Sequence, residues 1–150
     1  MILLSKRALL GVAAVVDIAI HARPVPVAAK ALAARHNLPP RHLETLLQAL
    51  VRASILKGVR GPKGGYELAR ERRRITVGEV VRVAIASDED GAYELQTSSR
   101  LVSEIVAPIV SEASKELISV LDQTTIEDLV RRAEGLGVFD AGSSLVDFTI

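Results

Sequence analysis

The chain has no cysteine. That excludes disulfides, thiol nucleophiles, thiolate zinc sites and cysteine-ligated iron–sulfur clusters. Aromatic residues make up only 3% of its 150 residues, so a core has to be assembled from Leu, Val, Ile and Ala, a composition that favours helices. A membrane-length apolar run is also lacking. Ala8–Val16 follows Lys6 and Arg7, and Ile20-His21-Ala22 faintly resembles a cleavage site, but Asp17 interrupts the run and Ile18-Ala19-Ile20 resumes it. The run is too short to span a bilayer and reads as a buried first helix of a cytoplasmic protein. No nucleophile–base pair, carboxylate pair or nucleotide fingerprint stands out, so catalysis is not indicated. His21, His36 and His42 fall at helix ends or on an exposed face, and Asp88-Glu89-Asp90 lacks the spaced oxygens of a calcium loop; neither group predicts a metal site.

What the chain does have is a division of charge. Residues 1–75 carry 14 Lys/Arg against 4 Asp/Glu, a net of +10, and residues 76–150 carry 5 against 14, a net of −9. A basic half of this kind suits a polyanion, and the acidic half suits another task.

The first helix is expected from about Ser5 to Ala22, ending before Pro24 because a residue preceding proline avoids the α region. Pro24-Val25-Pro26 reads as an extended connector. Val27–His36 reads as a short Ala-rich helix with Asn37 as a left-handed stop, and Pro39-Pro40 starts the next helix. There Leu43, Leu46, Leu47 and Leu50 form one buried stripe. The opposite face carries Arg41, His42, Glu44, Thr45, Gln48 and Arg52, side chains able to reach phosphates or base edges. Two short helices joined tightly, the second with a polar outer face, predict a helix-turn-helix.

Arg60-Gly61-Pro62-Lys63-Gly64-Gly65-Tyr66 follows, between Ile55–Val59 and Tyr66–Ala69. Val59, Tyr66 and Leu68 suit strands with one face on a core, and Gly61-Pro62-Lys63-Gly64 suits a type I turn. A phosphate-binding loop would need Gly-Lys-Ser/Thr leading into a helix; here Lys63 precedes Gly64-Gly65-Tyr66 and a strand. The stretch is therefore a hairpin wing. The run Arg70–Arg74 leaves it. Thr76 with Glu79 predicts a capped helix whose apolar face is Val77, Val80, Val81, Ala84 and Ile85.

Ser87–Ser99 reads as an acidic exposed loop. A long helix is expected from about Ser98 to Asp122, kinked or broken at Pro108. Its apolar surface of Leu101, Val102, Ile105, Val106, Ile109, Val110, Leu117, Ile118 and Leu121 calls for a second copy, packing back onto the winged helix being the alternative. Thr124–Asp128 opens a final short helix stopped at Gly135 or Gly137.

The run from Leu38 to Val81 resembles the Rrf-two family of winged-helix regulators. The likeness rests on Leu43-Glu44 with Leu46-Leu47, on Arg60–Ala69 and on Ile75-Thr76-Val77-Gly78-Glu79-Val80. The resemblance implies a homodimer whose long helices cross at the two-fold axis, each subunit placing its third helix in a major groove and its wing against a minor groove. By position, Arg60 resembles the wing arginine that enters the minor groove, and Glu44 the acidic residue that screens sequences. Arg41 and Gln48 are further candidates from helix geometry. His42 stands where the family usually has Tyr. Family members that sense through a cluster carry three cysteines in the segment matching Ser87–Ser99; this chain has none, so a cluster is not expected. Cluster-free members respond to a partner protein or a small molecule.

The fold expected is thus mainly α with a small β-hairpin. It comprises a winged helix-turn-helix over 1–86, a linker over 87–99, dimerisation helices over 100–137 and a tail over 138–150. The function expected is a sequence-specific, repressing transcriptional regulator that binds double-stranded DNA as a homodimer. The DNA-binding set is Arg41, His42, Glu44, Thr45, Gln48, Arg60, Lys63, Gly64, Gly65 and Tyr66, with phosphate contacts from Lys6, Arg7 and Lys57. Dimerisation falls to Leu101, Val102, Ile105, Val106, Ile109 and Leu117. No cofactor and no membrane partner are expected. The competing reading is a winged-helix module that docks a partner protein instead of DNA.

Overall fold

A computed structural model describes residues 4–87 and 99–139. Helix α1 (Lys6–His21) begins where Ser5 Oγ accepts from the Ala8 N–H at 3.1 Å. Helix α2 (Ala29–Arg35) starts later than the Ala-rich pattern suggests. Val27, expected to be helical, instead exchanges both backbone hydrogen bonds with Tyr66, at 2.9 and 2.8 Å. The connector after Pro24 is therefore a third strand-like edge on the wing, invisible locally because its partner lies far along the chain. Asn37, at φ 53°, reverses the chain as expected, and α3 (Pro40–Arg52) opens on a proline in its first turn.

Ser54, at φ 59°, and the bond from Ile55 N–H to Leu50 C=O turn α3 into β1 (Leu56–Val59). Strand β2 (Gly65–Leu68) returns antiparallel, with Leu56 opposite Leu68 and Lys57 opposite Glu67. A 3-10 turn at Arg72–Arg74 leads to α4 (Val77–Ala86). Its capping box is complete: Glu79 N–H donates to Thr76 Oγ1 at 3.1 Å and Thr76 N–H to Glu79 Oε2 at 3.0 Å.

A π-helical turn (Val102–Val106) runs into α5 (Ala107–Leu121). Pro108 is the cause of the widened turn. It has no N–H for the Glu104 carbonyl and its ring crowds that carbonyl, while Ala107 N–H reaches back to Val102 C=O. The expected break is thus an extra residue in the turn. Helix α6 (Ile126–Gly135) carries a second capping box, Thr125 with Asp128. Its start is laced to that of α4 by Val77 N–H to Thr124 C=O and Ile126 N–H to Ile75 C=O, both 2.9 Å.

Around these elements lies one aliphatic core, with Ile18, Leu32, Leu43, Leu46, Leu47, Leu50, Ile55, Leu56, Ile75 and Ile126 fully buried. Each such side chain contributes ~1.5–3 kcal/mol of burial free energy. The Leu43–Leu50 stripe of α3 is wholly inside it, which fixes the opposite face of that helix outward.

Candidate nucleic-acid interface

Burial of the leucine stripe leaves Arg41, His42, Glu44, Thr45 and Gln48 exposed along α3. Arg41, His42, Glu44 and Gln48 make no side-chain hydrogen bond or ion pair with other described residues. Four different polar chemistries thus line one helix face with their hydrogen-bonding capacity unspent. Thr45 differs: its Oγ1 accepts from Arg7 Nη2 at 3.2 Å. Arg7 also donates from Nε to Ser87 Oγ at 3.1 Å. This arginine, expected at phosphates, ties α1 to α3 and to the end of α4. Lys6 is exposed beside it.

The turn leading into α3 is tied down by a group the sequence singled out only for interrupting an apolar run. Asp17 is fully buried on α1. Arg35 donates to its Oδ1 from Nη2 at 2.6 Å and to Oδ2 from Nε at 2.9 Å. His36 Nε2 lies 2.9 Å from Oδ2, and His21 Nδ1 lies 3.1 Å from Oδ1. A carboxylate only accepts, so both ring nitrogens carry their proton there, and its roughly four lone-pair sites are all used. Burial pushes the Asp17 carboxyl up, but the hydrogen bond and charge of Arg35, with His21 and His36, outweigh it and hold the group below its ordinary value. The end of α2 is thereby pinned to α1, and with it the turn into α3. Each residue looks unremarkable alone; only the coincidence of a buried acid with Arg35-His36 some eighteen positions on could have signalled it.

The wing follows α3 directly. Gly64 N–H donates to Gly61 C=O at 2.9 Å, closing the four-residue turn around Pro62-Lys63. Gly61 sits at φ 115°, a conformation suited to glycine. Arg60 and Lys63 are exposed at the tip and unpaired among the described residues. Gly64, Gly65 and Tyr66 are only partly exposed. Gly65, at φ 156°, lies where an added Cβ would overlap the Val27 carbonyl, so it permits the strand contact behind the wing. Tyr66 packs against the core. Lys57, exposed on β1, pairs with Glu67 at 2.8 Å across the hairpin.

The run Arg70–Arg74 is mostly spent internally. Arg70 bonds Glu79 and the Ser54 and Arg74 carbonyls, Arg72 pairs with Glu127, and Arg73 with Glu71. At the other end of the chain, the expected apolar surface is split. Ile118 and Leu121 pack against the core of their own chain, and Leu117 is half-buried. Leu101, Val102, Ile105, Val106, Ile109 and Val110 are exposed, Leu101 at 64% and Ile109 at 67%. The expected linker and most of the tail lie outside the described residues. No described helix is long and apolar enough to cross a membrane.

Relatives share this arrangement. The chain is 30% identical over 136 residues to protein rrf2 of Nitratidesulfovibrio vulgaris, covering 87% of this chain and 88% of the relative. Among solved structures, the IscR of T. potens superposes with a TM-score of 0.67 at 34% identity, over 89% of each chain. The global cysteine regulator CymR of B. subtilis superposes at 0.64 and 31% identity, over 88% of this chain and 98% of CymR. Residues 4–132 match the family profile described as "Iron-dependent Transcriptional regulator". The iron in that description does not fit this chain as a thiolate cluster, because the chain has no cysteine. Among the described residues no group of three or more His, Asp or Glu is placed to hold a metal ion. By the extent of that match and the shared winged helix, the chain belongs to the Rrf2 family of DNA-binding, helix-turn-helix transcriptional regulators.

Proposed function

We propose that two copies of this chain form a cytoplasmic, non-enzymatic repressor that binds operator DNA and works without an iron–sulfur cluster. The observation that carries the reading is the polar face of α3, unspent among the described residues, followed at once by a wing whose two cations are likewise unpaired there. Arg41 is suited to guanine, Gln48 to adenine and Glu44 to the amino group of cytosine in a major groove. Arg60 fits a narrow minor groove, where the negative potential is strongest. Lys6, Lys63 and Arg41 supply phosphate attraction; Arg7 and Lys57, held by Thr45 and Glu67, orient the surface more than they add free charge. A dimer follows from the exposed stripe Leu101–Val110, whose burial against a second copy would join two reading heads over successive turns of DNA. Repression then needs only that the bound dimer exclude polymerase from a promoter.

The test is selection of bound fragments from sheared chromosomal DNA by the purified chain, followed by footprinting. A palindromic site with half-sites about one helical turn apart is expected, with affinity that falls steeply with salt. Recovery of fragments sharing no common site would remove the sequence-specific reading.

A further inference from the structure

A second feature lies away from the DNA-reading face. Between α1, α4, α5 and α6 is a cavity of about 470 Å³, partly open to solvent. Ala8, Val12, Val16, Val81, Leu121 and Leu129 are among its walls, with Leu9 and Val138 at the exposed rim. Among the described residues that line it none is charged, and His36 is the only polar side chain. We propose that this cavity binds a small, uncharged, largely apolar molecule, and that its occupancy lowers the affinity of the DNA-binding face. The proposal rests on the regulatory reading above and supplies the signal to which it responds.

Three observations select that occupant. The volume falls in the range of about 300–1,000 Å³ typical of small-ligand pockets. The absence of any Lys, Arg, Asp or Glu from the described walls leaves a ligand charge uncompensated, which is costly in an apolar site. His36 narrows the class further. Its Nε2 is committed to Asp17 at 2.9 Å, and in the neutral ring Nδ1 is then an acceptor. It makes no bond with another described residue. The ligand class is thus a ring or short chain with at most one hydroxyl-type donor.

The route to the DNA-binding face is short. His36 closes the C-terminal end of α2 and, with Arg35, holds Asp17. A molecule packed on the imidazole competes with its alignment on the carboxylate. That loosens α2, the helix that packs directly behind α3.

The experiment uses the full chain, the neutral fluorophore phenylnaphthylamine as probe and an operator recovered by the selection above. Expected are saturable fluorescence enhancement at one probe per chain, an unchanged sedimentation coefficient, and a loss of operator affinity of at least about fivefold, the lower end of common allosteric couplings. Ala133→Trp, which fills the cavity from α6, should abolish probe binding and retain operator binding. Leu9→Trp at the exposed rim makes the same test should Ala133→Trp fold poorly. No saturable binding, or binding untouched by both variants, overturns the site. Probe binding that appears only as the dimer dissociates assigns the cavity to the second copy instead and also overturns it. Operator affinity unchanged or tightened at probe saturation overturns the coupling. Failure to bind any operator without probe would strike the regulatory reading, while the probe titration still decides the site.

Discussion

Asp17 is the one buried charged residue among the described residues. Asp17→Asn leaves the Arg35 guanidinium without its counter-charge and places an amide N–H₂ against donors. Because Arg35 is about one-third exposed (32%) and can rehydrate, a loss of ~2 kcal/mol is expected, below that for a fully enclosed broken pair. The carboxyl is held below its ordinary 3.8 in the folded chain. Its contribution is therefore complete above pH 4 and is lost as pH falls through the folded value. Denaturant titrations of both proteins at pH 7 and pH 3 check this: the stability gap should narrow at the lower pH. At the wing tip, Arg60→Ala should weaken operator binding by ~1–3 kcal/mol and leave non-specific binding nearly unchanged apart from one lost phosphate attraction. Fluorescence anisotropy on operator and scrambled DNA at matched salt measures both. Equal losses on the two DNAs would make Arg60 a phosphate contact only.

Among elements, the wing depends on a contact beyond its own hairpin. Val27 adds a third edge behind β2, and Gly65 is the residue that lets the backbones approach. Gly65→Val, with its branched Cβ aimed at the Val27 carbonyl, should separate the edge and destabilise the fold by ~1–3 kcal/mol, as overpacking does. It should also speed hydrogen exchange at the Val27 and Tyr66 amides, while that at α5 amides stays as it was. Uniform acceleration throughout would mean global destabilisation instead. Much at this scale was legible beforehand. Thr76 with Glu79 and the leucines of α3 act within one or two helical turns, so spacing alone exposes them. The true start of α2 was not, because Val27 satisfies its backbone 39 positions away. Nor was the form of the Pro108 break, since a kink, a gap and a π turn all accommodate a missing N–H.

Across the whole molecule, the two halves differ in charge and in what they leave uncovered. The basic half exposes its cations at α3 and the wing but consumes most of Arg70–Arg74 internally, so the net of +10 overstates the charge available to DNA. The acidic half supplies two of those partners, Glu79 and Glu127. The exposed stripe from Leu101 to Val110 needs a cover. The double substitution Ile105→Glu with Ile109→Glu should yield a folded monomer by sedimentation velocity. It should lose at least about a hundredfold in operator affinity once the two reading heads are uncoupled. A dimer that persists through both charges would place the interface elsewhere. The protein-docking alternative has no comparable support: the relatives are helix-turn-helix regulators, and the α3 face keeps the polar side chains that reading bases requires.

The linear chain by itself determined the helices with strong periodicity, their caps, the turn at Gly61–Gly64 and the exposed candidates Arg41, Glu44, Gln48, Arg60 and Lys63. These follow from interactions a few residues long, where side-chain direction is dictated by the period of the element. Tertiary structure alone decided which charges are free. Arg7 and Lys57 resemble the other basic residues in sequence, but Thr45, Ser87 and Glu67 claim them. Asp17 looked like a blemish in an apolar helix and became the anchor of the helix-turn-helix. The physical reason is the same in each case. A charge is settled by whichever opposite or hydrogen-bonding group the fold brings within about 3 Å, and that group need not be near in the chain.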